Sequence, residues 1–199
     1  MVSSNLKKKF EKAVAATIKP LTRLGVTPNQ VTALGLAVAL VSAWLYANWG
    51  GDRMRLVYGA LTILLSGLLD AIDGVLARDT GKASRLGGFL DSVADRYSDA
   101  LVLIGVTAGR LCSVPAGLLA LTGSLMVSYT RSRAEAEGIE MAGVGVFERA
   151  ERIIFFAGCS LVSYWWLQAL DYGVTALAAL AHFTVAQRML HFKKRVDKN

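Results

Sequence analysis

LTILLSGLLDAIDGVLARDTGKASRLGGFLDSVADRYSDALVLIGV, Leu61 to Val106, joins two apolar runs through a polar connection and carries six aspartates, five of them within or at the ends of the runs. The full runs extend over Leu56 to Ala77 and Leu86 to Gly109, each about the length of a membrane-spanning helix. The connection around Asp79 to Arg85 is short enough to force an antiparallel hairpin with adjacent ends. Asp70, Asp73, Asp91, Asp95 and Asp99 lie within or at those ends. A charged side chain inside a span costs about 2.5–3.5 kcal/mol on insertion scales, so five of them call for a common cause.

Their spacing supplies one. Asp70 and Asp73 are three residues apart and Asp91 and Asp95 four apart, so each pair shares a helix face. Four carboxylates facing one another across a hairpin repel severely unless a cation sits between them. All are oxygen donors with no His or Cys nearby, which selects a hard divalent ion, Mg2+ or Mn2+, over zinc or copper. Four carboxylates suffice for two ions, an arrangement that suits displacement at phosphorus. Gly74 follows the second aspartate, and Gly87 and Gly88 open the next helix. Missing side chains there let helices, or a flat ligand, approach the backbone closely, although helix packing is the plainer account of Gly67 and Gly88.

Outward from this hairpin, the remaining apolar runs are Val31 to Asn48, Val114 to Tyr129, Ile153 to Leu167 and Tyr172 to Leu190. With 54% hydrophobic and 19% charged residues in 199, the chain is neither disordered nor patterned like a soluble domain. Six spans need roughly 120 residues, so the expectation is an all-α integral membrane protein occupying 1–199 as a single domain. It divides into an interfacial helix at about 4–24, a six-helix bundle at 27–190 and a basic tail at 191–199. In the first of these, Leu6, Phe10, Val14, Ile18 and Leu21 or Leu24 recur at helical spacing, as in an amphipathic helix lying on the membrane rather than a cleaved signal. Nineteen of the 22 Lys and Arg fall on one side of the spans, all but Arg53, Arg55 and Arg110. The positive-inside rule then predicts a multi-pass cell-membrane protein with both termini cytoplasmic. The formal charge of +7 follows the span edges and forms no basic stripe with interleaved aromatics, which argues against a nucleic-acid partner. Cys112 and Cys159 lie in apolar surroundings and read as buried free thiols.

Asp70 to Asp95 reads D-x2-D-G-x2-A-R-x8-G-x3-D-x3-D, eight fixed positions in 26 residues. This pattern resembles the signature of the CDP-alcohol phosphotransferases, and the six spans and amphipathic N-terminus look like that family too. The resemblance implies transfer of a lipid phosphate group from a CDP-linked lipid to the hydroxyl of a small alcohol, with release of CMP and use of Mg2+ or Mn2+. Carried over by position, Asp70, Asp73 and Asp91 would be metal ligands, and Asp95 both a ligand and the general base. Gly74, Arg78, Ser84 and Gly87 would surround the CDP moiety. The segment TPNQVT also resembles the family's entry to the first span, so Asn29, Gln30, Val31 and Thr32 would help hold the nucleotide or diphosphate. A cytoplasmic-edge arginine such as Arg78 also serves as a topology anchor or lipid contact. Asp99 continues the face of Asp91 and Asp95 outside the signature and reads as an acid behind the ligands. The family resemblance also implies a homodimer.

The alcohol is to be sought outside the shared motif. SYTRSRAE, then ERAER, then QR at the end of the last run resemble the inositol-phosphate-using branch of the family, the phosphatidylinositol phosphate and archaetidylinositol phosphate synthases. By that resemblance Arg133, Arg152 and Arg188 would bind the acceptor phosphate, with Arg131 and Arg149 as additions, since guanidinium groups grip phosphate oxygens bidentately. Related members commonly carry Lys where Arg131 stands here. Pairing with Glu135, Glu137, Glu148 and Glu151 is the other account of these arginines. Within the family, glycerol 3-phosphate is the alternative acceptor. From another class, a six-span cation transporter would use intramembrane acids but explains neither the glycines nor the arginines.

Overall fold

The computed structural model describes residues 25–197, so the expected interfacial helix at about 4–24 lies outside the described residues. Six helices follow one another: α1 (Pro28–Ala47), α2 (Arg53–Asp79), α3 (Arg85–Ala108), α4 (Val114–Ala136), α5 (Arg149–Val162) and α6 (Gln168–Val196). Three of them, α1, α2 and α6, are long and apolar enough to cross a membrane. Each of the six corresponds to one apolar run, with ends moved by local chemistry. Helix α4 continues past Tyr129 because Arg131 pairs with Glu135 and Arg133 with Glu137 at i,i+4 spacing, which supports helix in polar sequence. Helix α5 begins at Arg149, a turn before the apolar run, and ends at Val162 rather than Leu167. Helix α6 carries through Val196, so most of the expected basic tail is helical.

Local signals fix the starts. Thr27 forms a capping box with Gln30 ahead of Pro28, whose missing N–H costs nothing in the first turn. Ser84 and Ser113 accept hydrogen bonds from Gly87 N and Ala116 N and open α3 and α4. Between helices, small residues allow close approach and hydroxyls supply hydrogen bonds, the two devices that replace hydrophobic burial in lipid. A Cβ at Gly105 would stand 2.8 Å from Ala43 Cα, so α3 lies directly against the α1 backbone there. Ser42 donates to Gly59 O at 2.8 Å and Ser66 to Gly35 O at 2.9 Å, pinning α1 to α2. Tyr46 donates to Ser160 at 2.9 Å, and Ser160 in turn to Leu56 O at 2.9 Å, which ties α5 to the same pair. Around these bonds Tyr46, Leu56, Ile63, Val106, Phe156 and Leu170 form the core.

Alternating helix directions leave two ends. At one, Trp49 donates to Gly109 O, Arg53 reaches Tyr164 O, and Asp171 accepts from Ser113 N. At the other, the start of α1, the end of α2 and the starts of α3 and α5 meet with the later turns of α4 and α6. Asp70, Asp73, Asp91 and Asp95 lie toward this second end, and Asp99 lies one turn deeper, near the middle of α3.

Candidate active site

Asp70 on α2 and Asp91 and Asp95 on α3 bring carboxylate oxygens within 4.8 Å of one another. One turn of helix separates Asp91 from Asp95, and the hairpin sets Asp70 opposite them, as the spacing predicts. The donor set is all oxygen, and Asp91 Oδ1 is buried with no hydrogen-bond partner among the described residues. A buried, unpaired anionic oxygen is costly, and a hard divalent cation among these three groups would satisfy it; the residues present fit such an ion. Asp73, the fourth expected ligand, stands aside from the trio. It is buried and accepts a 2.5 Å hydrogen bond from Thr32 Oγ1, yet it lines the same cleft as Asp70 and Asp95.

Within this cleft the acids are met by an arginine. Arg149 Nη1 lies 2.7 Å from Asp70 Oδ2 and 2.9 Å from Asp95 Oδ1, and its Nε lies 3.4 Å from Asp99 Oδ1. Arg152, one turn along α5, donates to Asp99 Oδ2 at 2.7 Å and to Phe147 O at 3.4 Å. Both were expected to face an acceptor phosphate; both are turned toward carboxylates of α3, and Arg149 also toward α2. Arg188 is buried, donating to Val144 O at 2.9 Å, to Val127 O and to Glu148 Oε1 at 3.2 Å. Arg131 and Arg133 are separate from this group, each paired along α4 with a glutamate.

The expected CDP contacts divide by role. Ser84, Gly87 and Asn29 come together where α1 and α3 begin: a Cβ at Gly87 would meet Ser84 Oγ at 3.1 Å and Asn29 Oδ1 at 3.2 Å. Gly74 lies beside exposed Arg78, whose Nη1 is 3.5 Å from where a Cβ would stand. Val31 is buried against Ile72 and Leu76, and the Gln30 side chain accepts from Thr27 N, so both perform structural work at the mouth of the cleft. Glu148 pairs with Arg188, as the pairing account of the arginines allows; Thr32, expected at the nucleotide, bonds to Asp73; and Ser66 and Ser98, not singled out in the sequence, line the cleft. A signal existed for Thr32, since a hydroxyl one turn into a span is placed to satisfy a buried acid.

Among the described residues, a bundle of apolar helices collects carboxylates from a helical hairpin at one end, with guanidinium groups from a third helix among them; this is a membrane-type protein whose acidic cluster could hold a metal ion. The model of the CDP-alcohol phosphatidyltransferase family matches residues 25–187, and the chain belongs to that family of transferases. It is 38% identical over 200 residues to the archaetidylinositol phosphate synthase of Methanothermobacter thermautotrophicus, covering 98% of each chain. It is likewise 38% identical over 194 residues to that of Pyrococcus horikoshii, again with 98% of each covered. A crystal structure of the Mycobacterium tuberculosis phosphatidylinositol phosphate synthase with CDP-DAG bound superposes with a TM-score of 0.80 at 32% identity, over 91% of this chain and 94% of that one. The same enzyme in complex with manganese and citrate gives 0.78 at 32% identity, over 90% and 88%.

Proposed function

We propose that this protein transfers a phosphatidyl or archaetidyl group from a CDP-linked lipid to the hydroxyl of inositol phosphate and releases CMP. The observation that carries the reading is the cluster of Asp70, Asp91 and Asp95 with Arg149 paired to Asp70 and Asp95, in a chain whose relatives include inositol phosphate synthases. The proposal includes six membrane spans with both termini cytoplasmic, a homodimer as the family resemblance implies, and two Mg2+ or Mn2+ ions held by Asp70, Asp73, Asp91 and Asp95. When bound, the ions neutralise the diphosphate and stabilise the leaving CMP.

The chain's own residues do the rest. Asn29, Ser84 and Gly87 line the approach for the nucleotide, and the N-terminal turns of α1 and α3 present backbone N–H groups toward its phosphates. Arg133, Arg152 and Arg188, with Arg131 and Arg149 as additions, orient the acceptor phosphate. Asp95 accepts the proton of the attacking hydroxyl. A new oxygen–phosphorus bond to the acceptor forms as the bond to CMP breaks, and the CMP departs as a phosphate anion. Neither Cys112 nor Cys159 stands among the site residues, in keeping with direct displacement rather than a cysteinyl intermediate.

The deciding experiment supplies the purified protein with a defined CDP-lipid and Mg2+ or Mn2+, then measures CMP release with inositol phosphate and with glycerol 3-phosphate in parallel. Product mass spectrometry identifies the lipid formed. Turnover with inositol phosphate is expected; turnover with glycerol 3-phosphate alone would overturn the acceptor, and metal flux without CMP release would overturn the enzyme.

A further inference from the structure

The geometry points to Asp99 as a positioning residue for the transfer, holding Arg149 on one side and Arg152 on the other so that the acceptor phosphate meets the ligand cluster in one fixed arrangement. This rests on the reading of the cleft as the transfer site. Asp99 lies one turn of α3 beyond Asp95 and outside the eight-position signature. Its Oδ1 is 3.4 Å from Arg149 Nε, and its Oδ2 is 2.7 Å from Arg152 Nη2. The three side chains are largely withdrawn from solvent, at 11%, 18% and 4% exposure for Asp99, Arg149 and Arg152.

Asp99 lines one hollow and is ion-paired with an arginine that lines another. Arg149 lines the cleft of Asp70, Asp73 and Asp95. Asp99 and Arg152 line a second, whose other walls include Ser124, Phe156 and Leu177. Arg149 and Arg152 are like charges on one face of α5, three residues apart, and Asp99 is the anion that both of them contact. For Arg152 it is the single carboxylate partner among the described residues. Without it, a guanidinium buried to this degree has only the Phe147 carbonyl to hold it.

The sign of the effect separates positioning from charge. Asp99→Asn keeps the shape and removes one negative charge near a phosphate-binding region. If Asp99 acted only through the field, its loss would favour the acceptor anion and lower the acceptor KM. If it positions the arginines, the acceptor KM rises.

The test measures KM for inositol phosphate at saturating CDP-lipid, and KM for CDP-lipid at saturating acceptor, in the wild type, D99N, D99E, R152Q and D99N/R152Q. D99N is expected to raise the acceptor KM about tenfold while the CDP-lipid KM stays within about twofold. D99E should recover part of that loss, and D99N should add less on the R152Q background than it does alone, because only the Arg149 contact is then left to lose. A lowered or unchanged acceptor KM, equal rises in both KM values, or additive effects in the double variant would each overturn the proposal. If D99N does not fold in detergent, D99E decides by the same split, with an acceptor-selective rise supporting and equal KM rises refuting. Should the wild type use only glycerol 3-phosphate, the acceptor reading fails while the same comparison, run with that acceptor, still decides the role of Asp99.

Discussion

Thr32 Oγ1 donates a 2.5 Å hydrogen bond to Asp73 Oδ2, joining the first turns of α1 to the acidic end of α2. The same hydroxyl lies 3.1 Å from Pro28 O, so it serves its own helix and the site together. Thr32→Val keeps the shape and leaves a buried carboxylate without this donor, a loss of about 1–3 kcal/mol for an unsatisfied buried group. The expected result is a lower kcat together with a lower melting temperature, both largely restored by Thr32→Ser. Initial rates of CMP release and thermal unfolding in detergent check it; a variant with unchanged rate would remove Thr32 from the site.

Arg149 is the counter-cation of the acidic cluster, with Asp70, Asp95 and Asp99 all within 3.4 Å of its guanidinium nitrogens. Arg149→Gln leaves those carboxylates facing one another. Destabilisation should stay below the about 3–5 kcal/mol that follows removal of one partner from a fully buried pair, because this network keeps some exposure. Divalent cations take over the neutralising role, so added Mn2+ should raise the melting temperature of the variant more than that of the wild type. Equal Mn2+ shifts in the two proteins would show that Arg149 does not balance these acids.

Asp91 and Asp95 should separate by assay. Asp91 Oδ1 is buried with no hydrogen-bond partner among the described residues, whereas Asp95 Oδ1 is ion-paired with Arg149 Nη1 at 2.9 Å. Asp91→Ala is expected to weaken Mn2+ binding, followed by the signal of free Mn2+, by at least the roughly 10- to 100-fold seen when an outer-shell partner of a metal site is lost. Asp95→Asn is expected to abolish turnover while CDP-lipid binding largely survives. Chelation by EDTA should stop the wild-type reaction, and Mg2+ or Mn2+ should restore it. Substantial activity in Asp95→Asn would place the base elsewhere.

The hairpin was readable because its information is local: period, charge cost and turn length all lie within residues 56–109. The helix ends were less so. Hydropathy stops at Tyr129, while α4 runs on to Ala136 through two side-chain pairs that a hydropathy count does not weigh. The direction of the arginines was least legible. Arg149 meets Asp70 across 79 residues of chain, and nothing in ERAER distinguishes a guanidinium that faces an acid from one that faces solvent. Thr32 shows the same limit from the other side, since its place in TPNQVT suggested a nucleotide contact and its partner is Asp73, 41 residues away.

Arg188 and Arg131 were grouped by sequence, and their surroundings predict different outcomes on truncation. Arg188 is buried and bridges Val127 O on α4, Val144 O in the following loop and Glu148 at the start of α5. Its replacement by Ala unties that loop and leaves Glu148 without its arginine, so both stability and acceptor binding should fall, with the acceptor KM rising more than the CDP-lipid KM. Arg131 is half exposed and pairs with Glu135 one turn along α4. Such a pair contributes only about 0.3–0.5 kcal/mol, so Arg131→Ala should leave the melting temperature nearly unchanged. Its acceptor KM should rise less than that of Arg188→Ala, because a solvated guanidinium grips a phosphate in competition with water and its loss disturbs no buried contact. Arg188→Lys sharpens the comparison: it keeps the charge but cannot serve two carbonyls and a carboxylate from one rigid fork, so it should remain closer to Arg188→Ala than to wild type. Full recovery by lysine would mean that charge alone, and not the fork geometry, is what this position supplies.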